Sequence, residues 1–378
     1  MNSKQAVYSV LEHKTPAYIP LGTYAIDCDT VEKLLGHETY VRNKVKTQIA
    51  LWEGRRDEVV QSLKEDSVEL FRKLDSIDVI IPQKEAVILP PADEAPARVK
   101  KVSENIWESE DGLVYQISNV TNDVTVVQDN RVYNIEDFDR EPDKTIPDNS
   151  IFEAYDHLVN AMKDERFIAG ASGGFDPLQL LGGMERGLME YCLNPELIKK
   201  AQNYYLKMHN WNDSFYIKDD VDGIMIEYDF ATTRGPLMSP EMLDEFVFPI
   251  IKSRVESIKK FKSKVILHCC GNTWSLLDRI IDIGIDCYQS LQTGTSMELP
   301  ELKAHYGSRL AFWGGVSVEK LIAGTQQEVR EDVRNAIKHG ASEGGFILGP
   351  SHSIAYGTKY DNFMAMLDEH DKLKYITH

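Results

Sequence analysis

Two side chains that are two positions apart, His268 and Cys270, form the strongest chemical signal in the sequence. They end a short apolar run, residues 264–270, which is typical of a buried β-strand. Because side chains alternate along a strand, His268 and Cys270 should point to one side and Cys269 to the other. An imidazole and a thiolate both suit Zn²⁺, so the pair predicts half of a tetrahedral zinc site.

A further ligand must come from another strand. His352, after the last apolar run of the chain, is one candidate, and Glu227 and Asp229, at the end of an earlier run, offer carboxylate oxygens or a general acid. Three protein ligands and an open position would make a catalytic zinc site. The alternatives are that Arg234 or backbone amides hold the two carboxylates, and that His352 is hydrogen-bonded or contacts substrate without a metal.

Eight short apolar runs could place these residues on parallel strands. Each is rich in Val, Ile, Leu or Phe, and helical stretches separate most of them. The runs are residues 19–24, 77–82, 167–172, 223–229, 264–270, 286–292, 310–316 and 345–351. Eight strands that alternate with helices predict an α/β fold, a (β/α)8 TIM barrel. An open doubly wound sheet is the competing architecture, disfavoured because no Gly-rich dinucleotide loop follows the first strand.

One stretch, residues 86–141, interrupts this alternation. It contains several shorter β runs separated by turns at residues 110–112 and 121–123, and its alternating polarity is typical of half-exposed antiparallel strands. We expect a small antiparallel β excursion after strand 2, near the mouth of the barrel. The whole chain, residues 1–378, is then interpreted as a single barrel domain that carries this insertion.

In a barrel of this kind the active site lies at the C-terminal ends of the strands. Six further residues near those ends are candidates for binding substrate: Tyr24, Asp27, Phe175, Tyr228, Gln289 and Trp313. The four aromatic side chains among them could wall an aromatic ring, and ordinary core packing is the alternative for each.

Composition narrows the class of partner. The chain has 378 residues, with 42 Lys and Arg against 60 Asp and Glu, a formal net charge of −18. Nucleic acid and anionic lipid both require a basic face, so neither is expected as a partner. No apolar run approaches the ~18 residues of a membrane span, and the first 18 residues lack the apolar core of a secretory signal. Five scattered cysteines indicate a reducing compartment, so we expect a cytoplasmic protein.

Four stretches of the C-terminal half resemble the uroporphyrinogen decarboxylase superfamily, which also contains the cobamide-dependent methyltransferases. They are residues 235–241 (GPLMSPE), 265–272 (VILHCCGN), 312–316 (FWGGV) and 344–352 (GGFILGPSH). The resemblance spans roughly residues 180–375 and continues loosely at residues 18–21. It implies a (β/α)8 barrel with its cleft at the C-terminal face, and it suggests a homodimer.

The branch of the superfamily is indicated by two segments. The decarboxylase carries an Arg-rich segment after its first strand, whereas residues 22–29 here contain no arginine and two acids, which disfavours a polycarboxylate substrate. The methyltransferase branch holds zinc with a His-x-Cys pair on the fifth strand and a later cysteine. His268 and Cys270 match that pair, and His352 stands where the later cysteine would fall.

Residues 351–362 (SHSIAYGTKYDN) resemble the methyltransferase components of anaerobic O-demethylases. Those proteins pass a methyl group from a methyl ether to a corrinoid (cobalamin) that a partner protein carries. The resemblance therefore implies Zn²⁺, a corrinoid protein as partner and a methoxylated, aromatic methyl donor. A decarboxylase of a smaller and less anionic substrate, a methylcobamide:thiol methyltransferase of the coenzyme M type, and a non-catalytic barrel that binds a small ligand remain as alternatives.

Overall fold

The computed structural model describes residues 2–82 and 86–375, in which strands and helices alternate. The strands are β1 (Val79–Ile80), β2 (Val99–Ser103), β3 (Ile106–Ser109), β4 (Leu113–Ser118), β5 (Asp123–Asp129), β6 (Phe167–Gly170), β7 (Gly223–Glu227), β8 (Ala231–Thr232), β9 (Gly235–Pro236), β10 (Val265–His268), β11 (Cys287–Leu291), β12 (Ala311–Val316) and β13 (Phe346–Pro350).

The helices lie mainly between these strands. They are α1 (Ser3–Leu11), α2 (Cys28–Leu35), α3 (Lys44–Trp52), α4 (Arg56–Lys73), α5 (Glu153–Met162), α6 (Met184–Leu193), α7 (Pro195–Tyr216), α8 (Pro240–Phe246), α9 (Phe248–Ile258), α10 (Leu277–Asp282), α11 (Leu299–Tyr306), α12 (Val318–Ala323), α13 (Gln326–Gly340) and α14 (Tyr360–Leu373). Among the residues described, none of these helices combines the length and the apolar character that crossing a bilayer requires.

Seven of the strands form one parallel sheet in the order β1-β6-β7-β10-β11-β12-β13. Every pairing between neighbours in this sheet is parallel, as βαβ connections require. The prediction of an α/β fold built on a parallel sheet is therefore confirmed. The C-terminal ends of all seven strands meet at one end of the curled sheet, which is where the sequence predicts the site.

Residues 19–24 are predicted to be the first of the eight strands, but the structure gives them isolated bridges instead. Leu21 makes a parallel bridge to β13, and Gly22 makes one to β1. A regular ladder does not form because the Leu21 amide donates to the side chain of Asp78, at 2.9 Å, instead of to a backbone carbonyl. The segment thus links the two edges of the seven-stranded sheet without being a strand itself.

Alternate residues of the sheet point inward and form one apolar cluster. From the sheet and its ends this cluster contains Val79, Ile81, Phe167, Ala169, Met225, Ile266, Cys287, Ala311, Trp313 and Ile347. Helix α1 closes the opposite end of the barrel, because its residues Val7, Val10 and Leu11 belong to the same cluster. Polar residues that continue the inward alternation, such as His268 and Gln289, therefore face the C-terminal mouth.

Strands β2 to β5 form a separate four-stranded antiparallel sheet within residues 86–141. It packs against α3, where the ring of Trp52 lies 5.8 Å from Trp107 and 5.4 Å from Tyr115, centroid to centroid. At the tip of the β4–β5 hairpin, the buried side-chain amide of Asn122 donates to Cys28 Sγ, 2.9 Å away. The hairpin tip is thereby fixed to the N-terminus of α2, beside the barrel.

Candidate metal centre and adjoining cavity

Three ligand atoms meet at the C-terminal mouth of the barrel. One atom each from His268, Cys270 and His352 lies within 4.8 Å of the other two. His268 ends β10, Cys270 follows it by two residues, and His352 is the second residue after β13. The three residues end or follow two separate strands, and His268 and His352 are 84 positions apart in the sequence. The fold thus brings them to one point.

The orientation of the His268 ring is set by Gln289 in β11, its neighbour in the sheet register. Gln289 Oε1 makes a close hydrogen bond with His268 Nδ1. Because an amide oxygen only accepts, Nδ1 carries the proton and Nε2 keeps its lone pair. That lone pair faces Cys270 Sγ at 3.2 Å. A histidine whose other ring nitrogen is held in this way is the usual arrangement of a metal ligand.

The two neighbouring cysteines have opposite environments, as strand alternation predicts. Cys269 is fully buried on the helix side of the sheet. It belongs to a second apolar cluster, formed between the sheet and the helices, which we call the outer cluster. Cys270 faces the mouth, and its amide donates to Asp229 Oδ1 at 2.9 Å. Burial, and then the charges of Asp229 and Glu227, raise the pKa of the Cys270 thiol to about 12. A thiol beside two acids is a site at which a divalent cation would replace the proton.

His352 offers the third ligand atom, a nitrogen of its neutral ring. Burial, followed by the neighbouring His268, lowers the pKa of His352 to about 4. Its Nδ1 lies 3.0 Å from the hydroxyl of Ser353. Two imidazole nitrogens and one sulfur make a nitrogen–sulfur donor set, which fits Zn²⁺ and leaves room for a fourth ligand.

Tyr24, predicted to wall the substrate, lies against the cluster. Its ring stacks on that of His268, with centroids 4.0 Å apart, and meets His352 edge-on at 6.0 Å. Asp27, also predicted to bind substrate, is held by other groups. One of its oxygens accepts from Arg42 Nε, and the other accepts from the Tyr356 amide, both at 3.0 Å.

Arg42 is a residue of the mouth that sequence reasoning missed. It lies outside residues 22–29, so no local pattern connected it with the first strand. The structure brings its guanidinium to Asp27, and both side chains are largely buried. Arg42 therefore neutralises Asp27 in this part of the mouth, and its charge also acts on His352.

A cavity of about 240 Å³ opens beside the cluster, at the C-terminal ends of β1, β6 and β7. Among the described residues, it is lined by Ile81, Pro82, Val87, Leu89, Gly170, Ala171, Ser172, Gly173, Gly174, Phe175, Tyr216, Met225, Ile226, Glu227 and Tyr228. Three predicted site residues, Phe175, Glu227 and Tyr228, are thus brought to one mainly apolar cavity. Phe175 and Tyr228 meet edge-on, with centroids 6.3 Å apart.

Two predicted substrate residues have other positions. Trp313 is fully buried in the inner cluster, and its indole N–H donates to Gly22 O at 3.1 Å, so it packs the barrel interior instead of walling a cavity. Gln289 is also fully buried and contacts His268, so it orients a ligand instead of contacting substrate. Both residues point inward as expected, but they lie below the surface of the mouth.

Comparison with known proteins identifies the family. Residues 116–373, well over half of the chain, match the sequence model of a family described as "Uroporphyrinogen decarboxylase (URO-D)". The chain belongs to the uroporphyrinogen decarboxylase family. The matched region begins within β4 and includes every strand of the parallel sheet except β1.

Two of the similar proteins come from Methanosarcina mazei. A curated protein named "Methylated-thiol--coenzyme M methyltransferase" is 30% identical over 130 residues, which are 34% of this chain and 32% of that protein. The match thus spans about a third of the relative's length. A solved structure of a "methyltransferase from Methanosarcina mazei" superposes with a TM-score of 0.58 at 15% identity, over 98% of this chain and 99% of the other. That likeness is one of fold.

Proposed function

We propose that this member of the uroporphyrinogen decarboxylase family is a zinc-dependent methyltransferase. It transfers a methyl group from a small methoxylated aromatic donor to the corrinoid of a partner protein. The observation that carries the proposal is the convergence of His268, Cys270 and His352 within 4.8 Å, beside a mainly apolar cavity. The name of the Methanosarcina mazei relative supports methyl transfer as the reaction class.

The cluster and the cavity suit the two needs of ether cleavage. Phenolate is a poor leaving group, so the negative charge that develops on the ether oxygen must be stabilised. Zinc bound by His268, Cys270 and His352 would supply Lewis acidity at that oxygen. The apolar lining, with Phe175 and Tyr228 edge to face, suits an aromatic ring and excludes water.

The surrounding residues hold the ligands in place. Gln289 fixes the His268 tautomer, and the ring of Tyr24 covers one face of that imidazole. Asp229 holds the Cys270 amide and so fixes the turn that presents the sulfur. With these supports the three ligands need little rearrangement when the metal binds.

We assign Glu227 as the acid that serves the leaving oxygen. It lines the cavity, and it pairs in the sheet register with the ligand His268, so the residue borders both the cavity and the cluster. Once its carboxylate has taken up a proton from solvent, Glu227 could give that proton to the departing phenolate and return to the carboxylate. His352 and Asp229, beside Cys270, are the alternative candidates for moving a proton.

A second function, methyl transfer between a corrinoid and a thiol, is supported by the relative's name, which specifies a methylated thiol and coenzyme M. Zinc held by the same three ligands would have an open position for a thiolate, which it would activate as a nucleophile. The cavity would then hold the remainder of the thiol. The two functions differ in the group that gives or accepts the methyl.

One spectroscopic experiment distinguishes these functions. The zinc-loaded protein is incubated with cob(I)alamin and guaiacol, or with methylcobalamin and coenzyme M. We expect the corrinoid spectrum to change toward methylcobalamin with guaiacol, and not in a Glu227→Gln variant. Loss of methylcobalamin with the thiol would favour the second function. Carbon dioxide release from a carboxylated substrate, with no change in either corrinoid spectrum, would contradict both and favour a decarboxylase.

A further inference from the structure

The wall of the cavity is formed in part by a segment without regular secondary structure. Residues 171–175, which follow β6, supply Ala171, Ser172, Gly173, Gly174 and Phe175 to the lining. Such a segment has no ladder of its own to hold its shape, so other groups must fix it. At its start, the Ala171 amide donates to the hydroxyl of Tyr155 in α5, at 3.0 Å. The side chains that hold Gly173, two residues later, come from α7 and are supported by α9.

Helix α7 binds both polar groups of Gly173. The Gly173 amide donates to Asp213 Oδ1 at 2.9 Å, and its carbonyl accepts from His209 Nδ1 at 2.7 Å. His209 and Asp213 are four residues apart and so lie on one face of the helix. The contact is close, because a Cβ on Gly173 would lie 2.7 Å from the Cβ of Asn212.

Asp213 is in turn held by Arg254 of α9. Their side chains are both 0% exposed, and Arg254 Nη2 donates to Asp213 Oδ1 at 2.7 Å while Nη1 makes a closer bond to Oδ2. Nη1 also donates to Asn210 Oδ1 at 3.0 Å. Burying two charges is unfavourable unless their geometry is well matched, and a pair kept in an interior can serve to specify one arrangement.

The same network contacts the aromatic walls of the cavity. The ring of Phe175 lies edge-on to His209, with centroids 5.8 Å apart, and Tyr228 is fully buried beside the Arg254 guanidinium. Phe175 and Tyr228 therefore each rest on a member of the network that holds Gly173. A shift of the ion pair would displace two walls and the backbone between them.

We propose that the buried Asp213–Arg254 pair is a positioning element that sets the shape of the donor cavity by holding the Gly173 peptide against α7. Neither residue touches the donor; both act through Gly173, Phe175 and Tyr228. The assignment of the cavity to a methyl donor rests on the proposed function, whereas the hold on Gly173 does not.

Hydrogen–deuterium exchange tests that hold without any substrate. In Asp213→Asn the Gly173 amide loses a charged acceptor, so its exchange should accelerate by about tenfold or more, while the strands of the sheet keep their wild-type rates. His209→Phe is the second test, which also serves if Asp213→Asn does not fold. It keeps a ring against Phe175 but removes the hydrogen-bond donor to the Gly173 carbonyl, so it should loosen the same segment. Wild-type exchange at residues 171–175 in both variants would overturn the proposal.

A matched control is the ion pair between Asp244 and Arg279. It is also bidentate, but its side chains are 47% and 35% exposed, and it joins α8 to α10 away from the cavity. Asp244→Asn should leave exchange at Gly173 unchanged. An acceleration there as large as in Asp213→Asn would mean that loss of any ion pair loosens the segment, and it would overturn the proposal.

Kinetics with guaiacol and cob(I)alamin test the effect on the cavity. Asp213→Asn should raise KM for guaiacol about tenfold and change kcat by less than about threefold, with zinc content unchanged. Accelerated exchange together with unchanged KM would contradict the role in shaping the cavity. If the wild type transfers no methyl group but exchange responds as expected, the proposed function fails while the hold on Gly173 is supported.

Discussion

The ring of Tyr24 stacks on the imidazole of His268, with centroids 4.0 Å apart and planes 14° from parallel. This contact joins the segment that links the sheet edges to the strongest ligand candidate of the site. A stacked ring restricts rotation of the imidazole and excludes water from one of its faces. The first segment of the barrel thus supports the cluster without supplying a ligand.

Replacing Tyr24 tests that support. Tyr24→Leu removes the stacked ring, and we expect zinc affinity to fall by about tenfold, because the imidazole is less well oriented. Tyr24→Phe keeps the ring and should bind zinc as the wild type does. Competition with a chromophoric chelator measures both affinities, and equal affinity in all three proteins would contradict a supporting role for the stack.

Gln289 should affect zinc binding without being a ligand. Gln289→Leu removes the acceptor for His268 Nδ1–H, so the tautomer with a free Nε2 is no longer favoured. Loss of such a hydrogen bond typically lowers metal affinity by about 10–100-fold. The same chelator competition checks this value. A variant that binds zinc as tightly as the wild type would show that Gln289 does not orient the ligand.

Zinc binding should become stronger as the pH rises. The pKa of Cys270 is raised to about 12, so below that pH zinc must displace the thiol proton, and affinity should increase about tenfold per pH unit between roughly pH 6 and 8. His352, with its pKa lowered to about 4, is already neutral in this range and should add no proton. Titrations at several pH values measure the slope, and pH-independent affinity would contradict the thiolate assignment.

Trp313 should contribute to the stability of the fold and should not contact the substrate. Trp313→Ala removes a fully buried ring from the inner cluster and should lower the free energy of unfolding by about 3–5 kcal/mol. The control Phe261→Ala changes a residue that is 44% exposed, and it should have an effect within about 0.5 kcal/mol. Urea denaturation measures both. Similar small losses in the two variants would contradict the position of Trp313 in the core.

Much of the framework follows from local pattern. The period-two alternation places the side chain of Cys269 on the opposite face of the strand from His268 and Cys270. The repeat of strand and helix indicates which strand ends meet. These rules predict that His352 lies near Cys270, although the two are 82 positions apart in the sequence. Local pattern fails where a side chain replaces a backbone partner, as Asp78 does for Leu21.

Roles within the mouth could not be read from the sequence. Gln289 and Trp313 point inward, as the residues that line the cavity do. They differ from those residues in their depth below the mouth, which depends on the tilt of the strands. Arg42 reaches Asp27 through the fold of a loop, with no pattern in the sequence to indicate it. The Asp213–Arg254 pair joins two helices that each look ordinary in isolation.

The zinc content of three proteins tests the central claim most directly: the wild type, Cys270→Ala and Cys269→Ala, each purified without chelator. Cys270 faces His268 and His352, whereas Cys269 lies in the outer cluster. Elemental analysis should find about one zinc per chain in the wild type and in Cys269→Ala, and almost none in Cys270→Ala. Absence of zinc from the wild type, or equal retention in both variants, would contradict the assignment of the metal centre.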